Sequence, residues 1–354
     1  MKRRFILIVV AIIFVSCNQP YIPRTIESIV IEEYKIDSAS IRAIQAMNVD
    51  HLVYAGSNGT IGTTKDNGNS WKVKKIIFQD TIVPHFRSLA FNGNHLYALS
   101  VGNPALLYRI SEDESTLVYS ELHEKVFYDS LHFFEDQLHG IGVGDPTDDC
   151  ASIIVTHDGG ANWEKVACEF LPKFEEGEAF FAASNTNIKT LGSTVWIASG
   201  GEKARVLKST DFGKTWEIFS TPIQQGTGPQ GIYSIDFYDQ MNGIIVGGDY
   251  TKPLENTANK AITIDGGKTW KLVADGQNPN YKSCVQYVPN THGKEIFAVG
   301  KTGVSFSNDA GITWKDISND SYYAIQFVDE HTAWLSGHHK IGKLELNTLF
   351  NKSK

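Results

Sequence analysis

Residues 263–270 read Thr263-Ile264-Asp265-Gly266-Gly267-Lys268-Thr269-Trp270, and this eight-residue pattern occurs five times along the chain. The pattern is Ser or Thr, any residue, Asp, any residue, Gly, any residue, then Thr, Ser or Asn, and finally Trp. We call each copy an Asp–Trp turn. The copies carry their Asp and Trp at Asp66 and Trp71, Asp158 and Trp163, Asp211 and Trp216, Asp265 and Trp270, and Asp309 and Trp314. A degenerate sixth copy at 111–115 keeps the Asp but lacks the Gly and the Trp.

The residue types of the Asp–Trp turn predict a hairpin turn. An Asp carboxylate can accept N–H bonds from the residues that follow it in a tight loop, and Gly adopts the positive φ that such a loop needs. Five of the seven Trp residues of the chain stand at the last position of a copy, which favours packing over the turn rather than contact with a ligand. We therefore interpret the repeated residues as structural and not catalytic.

The spacing of the copies predicts the architecture. Successive Asp residues are 47, 45, 53, 54 and 44 residues apart when the degenerate copy is included. Propeller blades of four strands repeat at about this interval, roughly every 40–50 residues. One unit reads as four short strands, at 234–238, 243–246, 260–264 and 270–273.

The Asp–Trp turns resemble the Asp-box, also called the bacterial neuraminidase repeat, which implies a β-propeller. After the fifth copy, residues 323–328, 332–335 and 341–346 supply three more strands, and 25–36 is the remaining strand-like stretch. Pairing of that stretch with the C-terminal strands would remove both sheet edges. We therefore expect an all-β, seven-bladed β-propeller of four-stranded antiparallel blades, with its ring closed by the N-terminal strand.

The N-terminus predicts export and lipidation. Three basic residues at 2–4 precede the apolar run 5–14, which is too short to span a bilayer and is typical of a signal peptide. A small residue before Cys17 resembles a lipobox, and an acylated Cys17 would anchor the protein. The domains are then a lipoprotein signal peptide at 1–16, a lipid-anchored linker at 17–24 and a single propeller at 25–350. An ordinary signal peptide with an incidental cysteine is the alternative.

These segments predict a location in the cell envelope, on the periplasmic side of the outer membrane or on the cell surface, with the lipid anchor as the contact with the membrane. We expect the protein to be a monomer. The formal net charge of −8 argues against nucleic acid as a partner. Cys150 and Cys168 flank a hairpin and would lie opposite one another, so they form either a disulfide or two separately buried thiols. Cys284 would then be free.

The resemblance places the box turn between the third and fourth strands of a blade, so the loops on the opposite face form the candidate pocket. The candidate ligand-binding residues there are Arg87, Asn103, Tyr128, Asp129, Asp145, Glu178, Arg205, Asp249, Tyr250 and Lys282. Arg87 and Arg205 suit an anionic ligand. Simple turn formation is the alternative for each loop taken singly.

No metal site is assigned. Asp145, Asp148 and Asp149 have a spacing that could hold calcium, but solvated loop charge is the preferred interpretation. His338 and His339 are interpreted as a surface pair, because no matching Cys or His cluster stands nearby. The sequence also carries no Gly-rich dinucleotide turn opening a helix and no Cys-x-x-Cys pair, so no cofactor is expected.

Two families share the box: the sialidases, and the photosystem II stability and assembly factors with their non-photosynthetic relatives. Sialidases carry a Phe-Arg-Ile-Pro motif, whereas Phe86-Arg87 is followed here by Ser88-Leu89. The assembly factors are the stronger resemblance, and it extends over nearly the whole mature chain. Their blades repeat phrases like those at 231–237 and 243–250 and then an Asp–Trp turn.

The second resemblance implies a binding or assembly module whose partner is an envelope protein or a small anionic or glycan ligand. A sialidase-like glycoside hydrolase that uses the carboxylates of Asp129, Glu178 or Asp249 at the channel mouth is the alternative. We expect no catalysis under the first interpretation.

Overall fold

The computed structural model describes residues 21–346 of the chain. Cys17, the predicted signal peptide and the last four residues of the predicted propeller lie outside the described residues. Within them the chain is almost entirely β-strand, and the single helical element is the 3₁₀ turn Cys168–Phe170. The described residues include no helix with the length and apolarity that a membrane crossing requires.

The strands are short and follow one another at regular intervals. They are β1 (Ile31–Ala46), β2 (Leu52–Gly56), β3 (Thr60–Thr64), β4 (Lys72–Lys75), β5 (Phe86–Phe91), β6 (Leu96–Ser100), β7 (Ala105–Ile110), β8 (Ser115–Glu121), β9 (Tyr128–Phe133), β10 (Gly140–Gly144), β11 (Ser152–Thr156), β12 (Glu164–Lys165), β13 (Glu178–Ala179), β14 (Ile188–Leu191), β15 (Thr194–Ala198), β16 (Gly200–Gly201), β17 (Arg205–Ser209), β18 (Glu217–Ser220), β19 (Gln230–Phe237), β20 (Gly243–Asp249), β21 (Lys260–Thr263), β22 (Lys271–Leu272), β23 (Cys284–Tyr287), β24 (Ile296–Gly300), β25 (Gly303–Ser307), β26 (Lys315–Ser318), β27 (Ala324–Phe327) and β28 (Thr332–Glu345).

These strands form six antiparallel sheets in which neighbours in the chain are mostly neighbours in space. Four sheets have four strands each, namely β5–β8, β9–β12, β23–β26, and β14-β15-β17-β18. Two sheets have six strands, in the orders β27-β28-β1-β2-β3-β4 and β13-β16-β19-β20-β21-β22. The all-β class predicted from the sequence is therefore confirmed.

The two ends of the described chain meet in one sheet. β1 pairs at its start with β28, Ile31 opposite Leu344, and at its end with β2, Ala46 opposite Leu52. The N–H of Leu346 donates a hydrogen bond of 2.7 Å to the carbonyl of His331, so the two halves of β28 form a hairpin with His338 and His339 at its tip. This pairing leaves neither terminal strand with a free edge.

The first strands of the successive units form a closed circuit around a central channel. β1, β5, β9, β14, β19, β23 and β27 each contact the next, and β27 contacts β1. The middle of the channel is a polar cavity of about 210 Å³ to which all of these strands contribute residues. The sheets therefore radiate from the channel, and the hydrophobic core lies between their faces, as in the cluster that joins Val143 and Ile153 to Val195 and Leu207.

Each Asp–Trp turn closes the hairpin between the last two strands of its sheet by the same set of hydrogen bonds. In the copy at 263–270, the Thr263 hydroxyl donates to the Asp265 carboxylate at 2.8 Å and accepts the N–H of Gly267 at 3.0 Å. The N–H and hydroxyl of Thr269 donate to the same carboxylate at 2.9 and 2.6 Å. The Trp270 indole N–H donates to the Gly267 carbonyl at 3.0 Å. Gly267 has a φ of +89°, which explains the requirement for glycine.

The carboxylates of these turns are held in the charged form. Burial is the largest single effect on Asp265 and Asp211 and opposes their ionisation, but the hydrogen bonds, chiefly those from Thr269 and Thr215, together outweigh it and lower each pKa to about 2. In Asp158 the side-chain bond from Asn162 is the largest cause of a pKa that is also about 2. The charged carboxylate is thus part of the folded turn.

A disulfide joins Cys150 to Cys168, with the two Cα atoms 5.6 Å apart. It closes the chain on either side of the hairpin that contains the second Asp–Trp turn. Cys284 is buried as a free thiol in the core between two sheets.

We expect Asp265→Ala to destabilise the protein by about 1–3 kcal/mol, because it removes a charged acceptor from four N–H or O–H donors that then lack this partner. Urea unfolding at neutral pH measures the difference. Since the folded pKa of about 2 lies below the ordinary value of 3.8, this stabilisation is present above about pH 4 and should disappear as the pH falls to about 2. Asp50→Ala, at an exposed site, is the control. Equal unfolding midpoints for the two variants would contradict this role.

Candidate functional site

A cavity of about 640 Å³ opens at the end of the channel that lies opposite the Asp–Trp turns. We call it the mouth cavity. Its walls come from the segments that lead into the first strands, from the beginnings of those strands and from the loops between second and third strands, which antiparallel alternation brings to one face. The lining residues are Arg42, Arg87, Phe127, Phe180, Phe181, Ala182, Ala183, Tyr233, Tyr250, Tyr281, Ser283, Lys301, Ser321, Tyr323 and His338.

Irregularities in the first strands aim side chains into this cavity. The register between the first and second strands of a unit shifts at Arg42, at Arg87, at Asp129 and at Tyr233, so each of these residues occupies a β-bulge. A bulge adds an unpaired residue and turns its side chain out of the regular alternation. Three of these four residues, Arg42, Arg87 and Tyr233, line the mouth cavity, whereas Asp129 is fully buried.

One wall of the mouth cavity is aromatic. The rings of Phe181 and Tyr233 stack at 3.9 Å between centroids and are nearly parallel, with an interplanar angle of 4°. The ring of Tyr281 meets the ring of Tyr233 edge-on, with 4.9 Å between centroids. The half-exposed ring of Tyr250 lies 6.4 Å from that of Tyr233. Such a cluster offers flat apolar surface together with hydroxyl groups, which is typical of sites that hold peptides or other amphipathic ligands.

The opposite wall is basic. The Arg42 guanidinium lies 4.1 Å from the ring centroid of Tyr323 and donates a hydrogen bond of 3.0 Å to the Ala183 carbonyl. The Arg87 guanidinium lies 5.8 Å from the ring of Phe127. Burial lowers the pKa of Arg87, and the nearby charge of Arg42 lowers it further, which places the two cations in each other's field. Two guanidinium groups held in this way attract an anion between them.

Asp129 lies under Arg87 and is fully buried. Within the described chain neither of its carboxyl oxygens makes a hydrogen bond of ordinary geometry. Burial raises its pKa well above the ordinary value and Asp145 raises it further, while Arg87 and the Ala182 N–H oppose the shift. The shift favours the neutral carboxyl at pH values where an exposed Asp is charged, so that Asp129 cancels less of the charge of Arg87.

Asp145 is the second acidic group beside this wall. Burial raises its pKa to about 6, and a hydrogen bond of 2.7 Å from the Phe180 N–H opposes the shift. Of the residues described, those that line the mouth cavity include no Asp or Glu. The cavity is consequently positive and aromatic.

Two of the residues predicted from the sequence, Arg87 and Tyr250, line the mouth cavity. Asn103 is exposed in a turn with a cis Asn103–Pro104 bond and lies outside the lining. Tyr128 is fully buried between sheets, where its hydroxyl donates to Glu121 at 2.7 Å. The structure thus directs the Tyr128 side chain into the core.

Three further predicted residues are held by partners of their own. Glu178 and Arg205 form an ion pair with each other, and Glu178 also accepts the Ser199 hydroxyl at 2.6 Å. Asp249 caps its own turn by accepting the N–H and hydroxyl of Thr251. None of them is among the residues that line the mouth cavity.

Lys282 is also turned away from the cavity. It is buried, and its ammonium donates to the Gly303 carbonyl at 2.9 Å. Burial lowers the pKa of Lys282 to about 8, which the charge of Asp316 opposes. Near His338 and Asp145 no metal-binding cluster forms among the described residues.

Arg42, Phe181, Tyr233 and Tyr281 were not among the residues predicted to bind the ligand. Arg42 was missed because the N-terminal strand was expected over 25–36, whereas β1 extends to Ala46. The first strands share a sequence pattern that marks the positions of Arg42 and Tyr233. Five of the seven repeat a variable residue, a small residue and an aliphatic residue, namely Arg42-Ala43-Ile44, Arg87-Ser88-Leu89, Asp129-Ser130-Leu131, Tyr233-Ser234-Ile235 and Tyr323-Ala324-Ile325. In the first four of these triplets the variable residue occupies the bulge.

Antiparallel sheets that radiate from a channel, with a ligand-sized cavity at one end, define a protein of the propeller class. No protein-family model matches the chain. In sequence it is similar to the photosystem II assembly lipoprotein Ycf48 of Trichormus variabilis, with 23% identity over 336 residues, which cover 86% of this chain and 93% of that protein.

Solved structures show the same fold. Ycf48 bound to D1 peptide superposes with a TM-score of 0.66 at 16% identity, covering 93% of this chain and 99% of that chain. Ycf48 from Cyanidioschyzon merolae gives a TM-score of 0.57 at 15% identity, covering 89% and 98%. The WD40 repeats of RRP9 give 0.63 at 11% identity, covering 90% and 97%. The predicted β-propeller fold is confirmed.

We expect Asp129→Asn to stabilise the protein increasingly as the pH rises from about 4 towards neutral. The folded pKa is raised, so the wild-type carboxyl contributes stability only below its unfolded value near 4 and loses it at higher pH, whereas an amide never ionises. Urea midpoints at pH 4.5 and 7.5 measure the effect, with the exposed Asp149→Asn as control. A variant that is less stable than wild type by the same amount at both pH values would show that Asp129 is charged in the fold.

Proposed function

We propose that this chain is a lipid-anchored, extracytoplasmic propeller that acts as a binding or assembly module and holds a carboxylate-bearing peptide of a partner protein in the mouth cavity. The observation that carries the proposal is the pairing of Arg42 and Arg87 across from a stacked aromatic wall, above an Asp129 whose pKa is raised. The cavity volume of about 640 Å³ suits a few residues of an extended chain.

The architecture supports reading the Asp–Trp turns as Asp-boxes on seven blades. Seven first strands form the circuit around the channel. The six-stranded sheet that contains β1 divides into two blades, because the first half of β1 pairs with β28 and its second half with β2. The ring would thus be closed by the N-terminal strand, in a single propeller domain at 25–350.

The ligand class follows from the two walls. The guanidinium groups offer several N–H donors to a carboxylate, and the rings of Phe181 and Tyr233 can pack against apolar or aromatic side chains. Ycf48 is described as bound to D1 peptide in a similar structure. That likeness supports a peptide as the ligand class here, and the partner would be another envelope protein.

The location is proposed from the leader. The basic, apolar and Ser16-Cys17 segments fit a lipoprotein signal peptide, and the relative from Trichormus variabilis is named a lipoprotein. Lipid at Cys17 would hold the propeller at a membrane surface, on the periplasmic side of the outer membrane or on the cell surface.

Cys17→Ala should move the protein from the detergent phase to the aqueous phase of a Triton X-114 extraction, because it removes the site of the proposed acyl anchor. Cys284→Ala, which removes a buried thiol, is the matched control and should stay in the detergent phase. Aqueous partitioning of the wild-type protein would overturn the anchor.

Peptides with a free C-terminal carboxylate should bind the wild-type protein, and their amidated twins should bind at least about tenfold more weakly, since a charge-assisted contact is lost. An array of synthetic peptides, followed by isothermal titration of those that bind, measures this. Arg42→Ala and Arg87→Ala should each reduce affinity by a similar factor. Arg109→Ala, on another part of the propeller, is the matched control and should bind as wild type does.

Equal affinity of the free and amidated peptides, or unchanged affinity in both arginine variants, would overturn the proposed site. The same protein preparation can be assayed on sialosides and other glycosides. Turnover that is lost in Asp129→Asn would replace the binding proposal with the glycoside hydrolase alternative.

A further inference from the structure

The junction between the sheet of β1–β4 and the sheet of β5–β8 differs from the other junctions that the Asp–Trp turns fill. In the five complete copies, the Trp packs in a cluster with a side chain of the preceding sheet. The pairs are Trp71 with Trp334, Trp163 with Tyr97, Trp216 with Ile141, Trp270 with Trp196, and Trp314 with Ile244. The indole therefore wedges each sheet against its neighbour.

The hairpin β7–β8 lacks this wedge because its turn is short. In the five complete copies the last paired residues enclose an eight-residue loop, as between Phe306 and Lys315. In β7–β8 the register pairs Ile110 directly with Ser115, so the loop is 111–114. The segment that would carry the Gly and the Trp is missing.

A cavity of about 530 Å³ remains where the sixth Trp would pack, and we call it the junction slot. Its floor and walls are apolar, with Val53, Ile61 and Val73 from one sheet and Leu96 and Ile110 from the other. Val53 holds the position that Trp196 and Tyr97 hold in other sheets, which enlarges the space further. Val73 is 50% exposed, so the slot opens to the surface.

The rim of the junction slot is basic although the chain as a whole is acidic. Lys65, Lys72 and Lys74 stand along it, together with His51 and His95. Lys65 pairs with Glu112 across the opening, but both side chains are more than half exposed, so this ion pair opens at little cost. The position therefore favours an acidic partner segment.

We propose that the junction slot is a second docking site, which takes one aromatic side chain, a Trp above all, from an acidic segment of a partner protein. The ring of the partner would occupy the place that a Trp of this chain fills at five other junctions. The Asp or Glu residues that flank it would contact the lysines of the rim. An aromatic anchor in an apolar pocket with a charged rim is the usual form of a binding hot spot. The site is separate from the mouth cavity and does not rest on its ligand.

The probe is a synthetic twelve-residue peptide with one central Trp flanked on both sides by Asp and Glu, and its twin has Ala in place of Trp. Isothermal titration against the whole protein should give at least about tenfold tighter binding for the Trp peptide. Replacing 111–114 by the eight residues of the turn at 64–71 should fill the slot and reduce binding by at least about tenfold.

Smaller changes test the same site if the grafted turn fails to fold. Val73→Asp should reduce binding, whereas Ile77→Asp, at 54% exposure and outside the slot, should not. Lys72→Glu should reduce binding more than Lys75→Glu does, because only Lys72 lies on the rim. Binding of carboxylate peptides in the mouth cavity should be unchanged by Val73→Asp, which distinguishes failure of this site from failure of the other.

Equal binding of the Trp and Ala peptides, no measurable binding of either, or full binding by Val73→Asp would overturn the proposal. Sedimentation of the wild-type protein identifies a competing occupant. A dimer that becomes a monomer on Val73→Asp would assign the slot to a second copy of this chain and would overturn the partner peptide.

Discussion

The fold depends on the capped turn in which one carboxylate and one hydroxyl satisfy the backbone of a hairpin. In the copy at 263–270, Thr263 and Asp265 accept the N–H groups that the loop would otherwise leave unpaired, and Trp270 covers the loop from the side. The same turn recurs in five sheets and joins the last two strands of each by an eight-residue loop. The first strands are thereby brought side by side around the channel, and their beginnings meet on the face opposite the turns.

The mouth cavity follows from a second repeated feature, the bulge near the beginning of the first strand. Bulges at Arg42 and Arg87 aim two guanidinium groups at one space, and the bulge at Tyr233 supplies the stacked ring on the other side. Burial raises the pKa of Asp129 well above its ordinary value, which favours the neutral carboxyl beside the two guanidinium groups. The turns and strands of the scaffold repeat, whereas the side chain at the bulge differs from one strand to the next.

The sequence predicts the all-β class and the propeller, because the turn chemistry is local and repeats at a fixed interval. It predicts the site less well, because charged loop residues find partners that are distant in the chain. Glu178 and Arg205 were both predicted to bind a ligand, yet they form an ion pair with each other. Lys282 was predicted to do so as well, but its ammonium donates a hydrogen bond to the Gly303 carbonyl. Arg42 lies in the part of β1 that extends beyond the strand predicted at 25–36. The missing Trp after 111–115 was visible in the sequence, but the slot that it leaves depends on packing between two sheets.

We propose that distant segments of the chain converge on one anion-binding cavity opposite the Asp–Trp turns. A crystal structure with a bound peptide that carries a free C-terminal carboxylate tests it most directly. We expect electron density for the carboxylate between the guanidinium groups of Arg42 and Arg87, with the peptide packed against Phe181 and Tyr233. A peptide bound at the face of the turns, or arginines that point to different surfaces, would contradict it.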